Sequence, residues 1–257
     1  MSKLSVSIVI YNNDEDVLLA VESIERSTPS LIEKKIYIID NANASEDTVK
    51  KLTAYEDVEY INNGTNLGFG AGHNIAIKKA GTEFKSDFHA IVNPDIVLEE
   101  DAFSPLIAYM KKNPDCGMVV PKIMTPDGEL QKAYRRELTV SDMFIRMFIK
   151  GGFAKKRARH TMQDMDYSKP FRVPFAQGSF LVGRTQILRE ISGFDDRFFL
   201  YMEDADLCKR INLVSSVMYC PDAKVVHKWE KGSHKNKKLF KLHVSSMIKY
   251  FNKWGWK

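Results

Sequence analysis

Short β-rich runs and helical patterns alternate along the first 112 residues, and this alternation restricts the fold more than any other feature. The run "SVSIVI" (5–10) precedes an acidic turn and then Val17, Val21 and Ile24 at helical spacing. The order repeats with strands predicted at 35–40, 58–61 and 88–93 and helices near 46–54, 72–80 and 100–112. The pattern predicts an α/β fold, Rossmann-like, whose mixed but mostly parallel sheet is flanked by helices and binds ligands at the carboxyl ends of its strands.

Length and composition set the limits of this fold. A chain of 257 residues with 44% hydrophobic content can form one large domain, or a domain with a small appendage. Its apolar runs are far shorter than the roughly 20 residues of a membrane span, so we expect a cytoplasmic protein. The three cysteines show neither metal-ligand nor disulfide spacing, which predicts packed thiols in a reducing compartment.

Polar residues follow each predicted strand of the first half. They are Tyr11-Asn12-Asn13, Asp40-Asn41, Asn62-Asn63 and Asn93-Pro94-Asp95. Any one of these groups could simply cap a helix or turn the chain. Four of them at the same edge of a sheet predict a binding site.

The glycine-rich stretch "NLGFGAGHN" (66–74) can be compared with the dinucleotide-binding fingerprint G-x-G-x-x-G. A fingerprint that starts at Gly68 requires glycine at position 73, which is His73, and this mismatch argues against a dehydrogenase. What remains is a backbone that can approach a ligand closely, with exposed amides at the start of a helix.

Two residues are candidates for a metal site. Asp95 follows a buried strand and a proline, a position suited to Mg²⁺ or Mn²⁺ that bridges a diphosphate. His227 ends the β-rich "AKVVH" and would add a nitrogen ligand, which favours Mn²⁺. A structural role for this histidine is equally open.

In "FFLYMEDADLCKR" (198–210), acidic residues directly follow an aromatic run. Glu203 and Asp204 stand where a helix should begin, and Leu207 would lie on its buried face. An acidic helix start alone contributes about 0.3–1 kcal/mol through the helix dipole. We expect Asp206, one turn further, to be solvated.

The order of these motifs resembles a known family. Together with "IIDN", "VNPD" and "GSFLVGR", they are similar to the family 2 inverting glycosyltransferases of GT-A fold, most closely the bacterial rhamnosyltransferase-like branch. The likeness covers roughly residues 4–230. One departure is the longer segment "DNANASEDT" after Asp40, so no role passes to Ser45 or Asp47.

The resemblance implies a catalytic domain over residues 1–230, with a nucleotide-sugar-binding half (1–120) and an acceptor half (121–230). Its expected activity is inverting sugar transfer, favoured as L-rhamnose from dTDP-L-rhamnose, to a glycan or lipid-linked acceptor. This activity belongs to cell-surface polysaccharide biosynthesis such as that of O-antigen. A UDP-sugar-dependent transferase and a non-catalytic nucleotide-sugar-binding protein are the open alternatives.

The resemblance also implies residue roles. Asp204 would be the general base and Glu203 would support it, while Asp95 and His227 would hold the divalent metal, Mg²⁺ or Mn²⁺. The residues implied to contact the nucleotide diphospho-sugar are Tyr11, Asp40, Asn66, Gly68, Gly70, Asn74 and Asn93.

The carboxy-terminal tail differs from the rest of the chain in charge. Residues 228–257 carry nine lysines and one acid; since the whole chain carries +5, residues 1–227 carry −3. An apolar stripe predicts a basic amphipathic helix within 231–257, formed by Phe240, Val244, Met247, Phe251 and Trp254.

The predicted helix has alternative roles. It either closes the domain or rests on an anionic membrane surface. On such a surface each outward lysine adds about 1 kcal/mol, and these are predicted to include Lys238, Lys241, Lys249 and Lys253.

The basic run 150–160 is either a lip near the acceptor or a solvated loop. A nucleic-acid role for the basic, aromatic tail is disfavoured, because the motifs upstream indicate a sugar-nucleotide enzyme and no nucleic-acid partner.

Overall fold

The computed structural model describes residues 1–143, 153–228 and 237–256. The strands are β1 Ser2–Ile10, β2 Ile32–Asp40, β3 Val58–Asn62, β4 Phe88–Val92, β5 Ile96–Val97, β6 Cys116–Met124, β7 Tyr134–Arg135, β8 Phe171–Arg172, β9 Phe175–Ala176, β10 Phe180–Arg184 and β11 Ser216–His227. The helices are α1 Asp14–Ser27, α2 Glu46–Leu52, α3 Phe69–Lys79, α4 Phe103–Lys112, α5 Ala154–His160, α6 Thr185–Glu190, α7 Glu203–Val214 and α8 Lys237–Trp254, and a π-helical turn follows α3 at Ala80–Phe84.

One nine-stranded sheet runs through the domain in the order β3-β2-β1-β4-β10-β6-β11-β5, with β8 paired to β11. The pairs that join β3, β2, β1 and β4 are parallel, as is β6 with β11, whereas β10 is antiparallel to both of its neighbours. This arrangement confirms the predicted α/β fold. The predicted boundary after residue 120 falls inside β6, so both halves share the sheet.

The parallel strands are apolar because helices cover the sheet on both faces. Val6 and Ile8 on β1 and Ile36 and Ile38 on β2 are fully buried. Such continuous apolar runs are typical of parallel strands. All three cysteines are buried and free, as predicted.

A chain of polar side chains crosses this core and fixes α3 to β1. The Ser7 hydroxyl lies 2.7 Å from His73 Nδ1 and 2.9 Å from His89 Nε2, and the Ser5 hydroxyl lies 2.7 Å from His89 Nδ1. Burial lowers the pKa of His89 to about 3 and also lowers that of His73, so both rings are neutral. His73, the residue that breaks the glycine fingerprint, therefore holds the glycine-rich helix against the sheet.

Helix α8 closes the domain. Tyr250 and Phe251 are buried in a second apolar cluster with Phe198 and Met202, while Phe240, part of the predicted stripe, is 42% exposed. Association with a membrane stays a prediction. Within residues 1–143, 153–228 and 237–256, no helix combines the length and apolar character that crossing a bilayer requires.

The expectation that Asp206 is solvated is wrong. Its carboxylate is fully buried, with Oδ2 accepting from Arg210 Nε at 2.7 Å. Its Oδ1 lies 2.6 Å from Lys253 Nζ and accepts from Trp254 Nε1 at 2.9 Å. The sequence could not show this, because two of the three donors come from α8, nearly fifty residues away. Lys253, expected on the outer face of α8, points inward for the same reason.

Helix α8 also holds the aromatic segment (residues 194–206) by three other contacts. The Lys253 ammonium lies 2.6 Å from Asp195 Oδ2, and Lys249 donates to the Arg197 carbonyl at 2.7 Å. The Ser246 hydroxyl donates to the Leu200 carbonyl at 2.8 Å. The helix thereby fixes the backbone that leads into Glu203 and Asp204.

The substitution Asp206→Asn tests this anchor. It removes the charge that faces Lys253 and Arg210, and we expect the free energy of unfolding in urea to fall by about 3 kcal/mol, the low end for a broken buried ion pair because both cations still reach solvent. Asp47→Asn is the matched control, since Asp47 makes the same i,i+4 type of pair with Lys51 in exposed surroundings and should cost less than about 1 kcal/mol. Equal small losses in both variants would contradict the anchoring role.

Candidate active site

The ends of the parallel strands meet at one edge of the sheet. Asp40, the last residue of β2, stands in register with Ile10 of β1 and with Asn62 of β3. Tyr11, the next residue after β1, is 54% exposed at this edge. The predicted rim of polar strand ends therefore exists, and it leaves an aromatic ring open to a ligand.

Asp40 organises the loop that follows it. Its carboxylate is buried and accepts from the amides of Ala42, Asn43 and Ala44 at 2.6–3.0 Å, and from the Tyr60 hydroxyl. Burial opposes ionisation, but these hydrogen bonds outweigh it and hold the pKa of Asp40 below its ordinary value. A direct contact between Asp40 and a nucleotide base stays a prediction, because the carboxylate already serves the loop.

Gly68 and Gly70, at the start of helix α3, allow this helix to pack closely against the aromatic segment. Gly68 has φ +89°, and a Cβ there would lie 2.3 Å from the Phe199 carbonyl oxygen; at Gly70 it would lie 2.8 Å from Phe194 Cβ. The amide of Phe69 donates to the Phe199 oxygen at 3.1 Å. The aromatic segment thus approaches these glycines closely, and a contact between them and a ligand stays a prediction.

The two asparagines of this stretch act differently. The Asn74 amide donates to the Phe194 carbonyl and to Asp196, both at 2.9 Å, and its oxygen accepts from the Phe194 amide at 2.7 Å. Asn66 is exposed and accepts from the Gly68 amide at 2.9 Å. Asn74 therefore fastens α3 to the aromatic segment, whereas Asn66 remains accessible at the rim.

Asp95 and His227 are neighbours, although 132 positions separate them. Strand β5 pairs with β11 so that Ile96 faces His227, and this register brings Asp95 Oδ2 within 3.2 Å of His227 Nε2. The imidazole is buried, and its Nε2 makes no hydrogen bond within the described residues. A cation bound by both the Asp95 carboxylate and this buried ring nitrogen would satisfy the two groups.

Gln131 sets the tautomer of His227. Its Nε2 donates to the His227 carbonyl at 2.8 Å, so its Oε1 faces His227 Nδ1 at 2.9 Å. Since that oxygen can only accept, Nδ1 carries the proton and the Nε2 lone pair points away from it. Sequence reasoning missed Gln131, which stands outside every motif and meets His227 only in the fold.

The residues present fit a divalent metal with two protein ligands. Two adjacent ligands on an octahedral Mg²⁺ are roughly 3 Å apart, which matches the separation of Asp95 Oδ2 and His227 Nε2. Asn93 Oδ1, close by along the chain, is buried without a hydrogen-bond partner in the described residues. No cluster of three or more His, Cys, Asp or Glu side chains suited to a metal occurs among the described residues, so further ligands would come from a substrate or water.

The carboxylate of Asp204 is aimed by a left-handed turn. Tyr201 and Met202 have φ +70° and +71°, and helix α7 begins at the next residue. Asp204 Oδ2 then accepts from the Gly178 amide at 3.2 Å and Oδ1 from the Ala205 amide at 2.8 Å. Non-glycine residues at positive φ are strained, and they persist here because α8 and α3 hold the aromatic segment from both sides.

Glu203 lies beneath Asp204. It is 5% exposed, and its Oε2 has no hydrogen-bond partner among the described residues. Burial, together with the negative charge of Asp204, raises the pKa of Glu203 to about 8. Glu203 is therefore mostly a neutral acid near pH 7.

A pocket of about 730 Å³ is lined by Glu203 and Asp204, and by Asn93 and Gln131, which adjoin the metal-ligand pair. Basic and apolar side chains, together with Glu129 and Asp142, form other parts of its wall.

The run 150–160, expected to be either a lip near the acceptor or a solvated loop, forms helix α5 at residues 154–160 and contributes Lys156, Arg157 and His160 to the pocket wall. Residues 150–152 of that run lie outside the described residues, and its role near the acceptor stays a prediction. Arg135 and His243, which also line the pocket, carried no sequence signal.

Comparison with known proteins places the chain in a family. The family model described as "Glycosyl transferase family 2" matches residues 5–192. The chain belongs to glycosyl transferase family 2. The family 2 resemblance seen in the motifs is thereby confirmed.

Two relatives of this family 2 protein carry rhamnosyltransferase names. The chain is 26% identical over 202 residues to the N-acetylglucosaminyl-diphospho-decaprenol L-rhamnosyltransferase of Mycobacterium tuberculosis, covering 75% of this chain and 66% of the relative. It is 27% identical to the rhamnosyltransferase WbbL of Escherichia coli, covering 84% and 81%. The chain thus spans just under two-thirds of the mycobacterial relative's length.

Solved structures share the fold. GalNAc-T7, in a crystal structure with UDP, GalNAc and Mn²⁺, matches with a TM-score of 0.69 at 20% identity, covering 91% of this chain and 44% of that protein. At this identity the similarity establishes the GT-A architecture alone.

The ionisation of Glu203 gives a prediction about stability. The folded state holds this proton up to a pKa of about 8 and the unfolded chain only to about 4.5, so Glu203 favours folding below pH 4.5 and loses that contribution as the pH rises to 8. Because Glu203→Gln keeps the neutral form, its free energy of unfolding relative to wild type should increase from pH 4.5 to pH 8. Glu22→Gln, on the exposed face of α1, is the control, and a parallel pH dependence of wild type and Glu203→Gln would refute the raised pKa.

Proposed function

We propose that this protein is a metal-dependent inverting glycosyltransferase that takes a sugar from a nucleotide diphospho-sugar, favoured as L-rhamnose from dTDP-L-rhamnose. The acceptor is a glycan or lipid-linked saccharide in cell-surface polysaccharide biosynthesis. The observation that carries the proposal is a pocket lined by Asp204 and by Gln131, the residue that holds His227 of the Asp95–His227 pair. The names of both relatives support the choice of sugar.

The donor would lie along the rim of strand ends. The exposed ring of Tyr11 offers a surface for the nucleotide base. Asp40 contributes to binding of this base indirectly, because it organises the loop 42–44. Asn66 and Asn93 retain side-chain atoms for the donor, whereas Gly68, Gly70 and Asn74 serve the site by holding α3 on the aromatic segment. Donor recognition thus depends on residues that shape the rim as well as on residues that contact the ligand.

Asp95 and His227 would hold Mg²⁺ or Mn²⁺, and the presence of Mn²⁺ in the GalNAc-T7 structure agrees with this choice. When bound, the metal neutralises the charge of the departing diphosphate. Gln131 contributes by keeping the proton on His227 Nδ1 and so leaving Nε2 available.

Asp204 would be the general base. The acceptor oxygen forms a bond to the anomeric carbon as the bond from that carbon to the diphosphate breaks, and the acceptor proton passes to the Asp204 carboxylate. Inversion requires attack from the face opposite the diphosphate, so the acceptor occupies the side of Asp204 away from the metal pair. Because Glu203 is neutral, no second negative charge lies next to the Asp204 carboxylate.

The metal assignment is tested with Asp95→Ala. We expect the variant to fold but to lose the Mn²⁺-dependent rise in melting temperature on adding nucleotide diphospho-sugar, because the main carboxylate ligand is gone. Glu99→Ala, an exposed carboxylate nearby, should behave as wild type. A panel of dTDP-L-rhamnose and UDP-sugars in the same assay identifies the donor, and undiminished turnover in excess EDTA would refute the metal role.

The base assignment is tested with Asp204→Asn. Turnover should fall by roughly 10²–10⁴, the usual contribution of general base catalysis, while donor binding stays unchanged. Asp222→Asn, at an exposed position of β11, serves as the control. Parallel loss of donor binding and turnover in Asp204→Asn would instead show that the side chain only supports the start of α7.

A further inference from the structure

We propose that the basic end of the pocket binds the diphosphate of a lipid-linked acceptor, an inference that rests on the proposed transfer reaction. Three cationic side chains that line this part of the pocket form the cation cluster, namely Arg135, Lys156 and Arg157, and His160 lines the pocket with them. Lys156, Arg157 and His160 all lie on helix α5, and Arg135 ends strand β7.

A chain of contacts links the metal-ligand pair, Asp204 and the cation cluster. From Asn93, whose amide donates to the Ser179 carbonyl, these contacts pass to Gly178, whose amide donates to Asp204. Met202 packs with Leu138 and Met143, the neighbour of Asp142. Asp142 lies 3.5 Å from both Lys156 Nζ and His160 Nδ1. Along these contacts, Asp204 stands between the metal-ligand pair and the cation cluster.

This order separates the two diphosphates of the proposed reaction. The donor diphosphate leaves on the metal side of the anomeric carbon, and the acceptor hydroxyl arrives on the opposite side, where Asp204 takes its proton. An acceptor sugar at Asp204 would carry its own diphosphate towards the cation cluster. Arginine and lysine bind phosphate oxygens through charge-assisted hydrogen bonds, which need no metal.

The same end of the pocket offers an apolar surface for a lipid. Leu138, Met143 and Phe175 line it, and the Arg135 guanidinium lies 5.1 Å from the centre of the Phe175 ring. Cations packed against apolar side chains match a diphosphate joined to a hydrocarbon chain better than they match a free sugar. The name of the mycobacterial relative, which includes a diphospho-decaprenol group, agrees with this chemistry.

Helix α5 provides a matched pair of variants. Lys156→Gln/Arg157→Gln removes two cations that line the pocket, whereas Lys155→Gln/Arg159→Gln removes two exposed cations of the same helix that do not. Binding of farnesyl diphosphate, inorganic pyrophosphate and farnesol would be measured by calorimetry in EDTA, so that the metal-dependent donor site cannot contribute. Melting temperatures check that all variants fold, and nucleotide-sugar binding with Mn²⁺ is measured separately.

We expect wild type to bind farnesyl diphosphate more tightly than either pyrophosphate or farnesol. The pocket variant should bind it at least about tenfold more weakly, and the control variant within about threefold of wild type. Equal losses in both variants, equal affinity for farnesol or pyrophosphate, or no binding in EDTA would overturn the proposal. Donor binding with Mn²⁺ should be unchanged in all variants, so failure here is distinguishable from failure of the proposed function.

Discussion

The site depends on how the aromatic segment is held from two sides. On one side, the backbone of Gly68 and Gly70 approaches it too closely for any side chain, and Asn74 hydrogen-bonds to it. On the other, the buried carboxylate of Asp206 joins it to Lys253 and Trp254 of the last helix. Because both supports act on one short stretch, the positive φ angles at Tyr201 and Met202 can persist and aim Asp204 into the pocket.

Electrostatics divides the pocket along its length. The Asp95–His227 pair would take a cation, neutral Glu203 limits the negative charge at Asp204, and the cation cluster lines another part of the pocket wall. A reaction that moves a sugar between two diphosphate-bearing molecules needs such a division, because like-charged groups would otherwise compete for one site. In our proposal the base occupies the boundary between the two ends.

The polar core shows how the sheet positions this machinery. Ser5, Ser7, His73 and His89 are buried, mutually hydrogen-bonded and neutral, so they specify how α3 sits on β1 without placing a charge in the core. The start of α3 then meets the aromatic segment in a fixed position. Residues that looked like parts of a ligand-binding loop, Gly68 and Gly70 above all, serve this internal contact.

The sequence by itself determined the α/β order, the polar strand ends and the family, because period, turn chemistry and motif order are local properties of the chain. It also placed Asp95, Asp204 and His227 among the candidates. Only the tertiary structure decided that Asp206 is buried, that Asp40 serves its own loop and that Gln131 orients His227. Each of these depends on a partner distant in sequence, and neither burial nor a hydrogen bond between distant residues leaves a mark in local spacing.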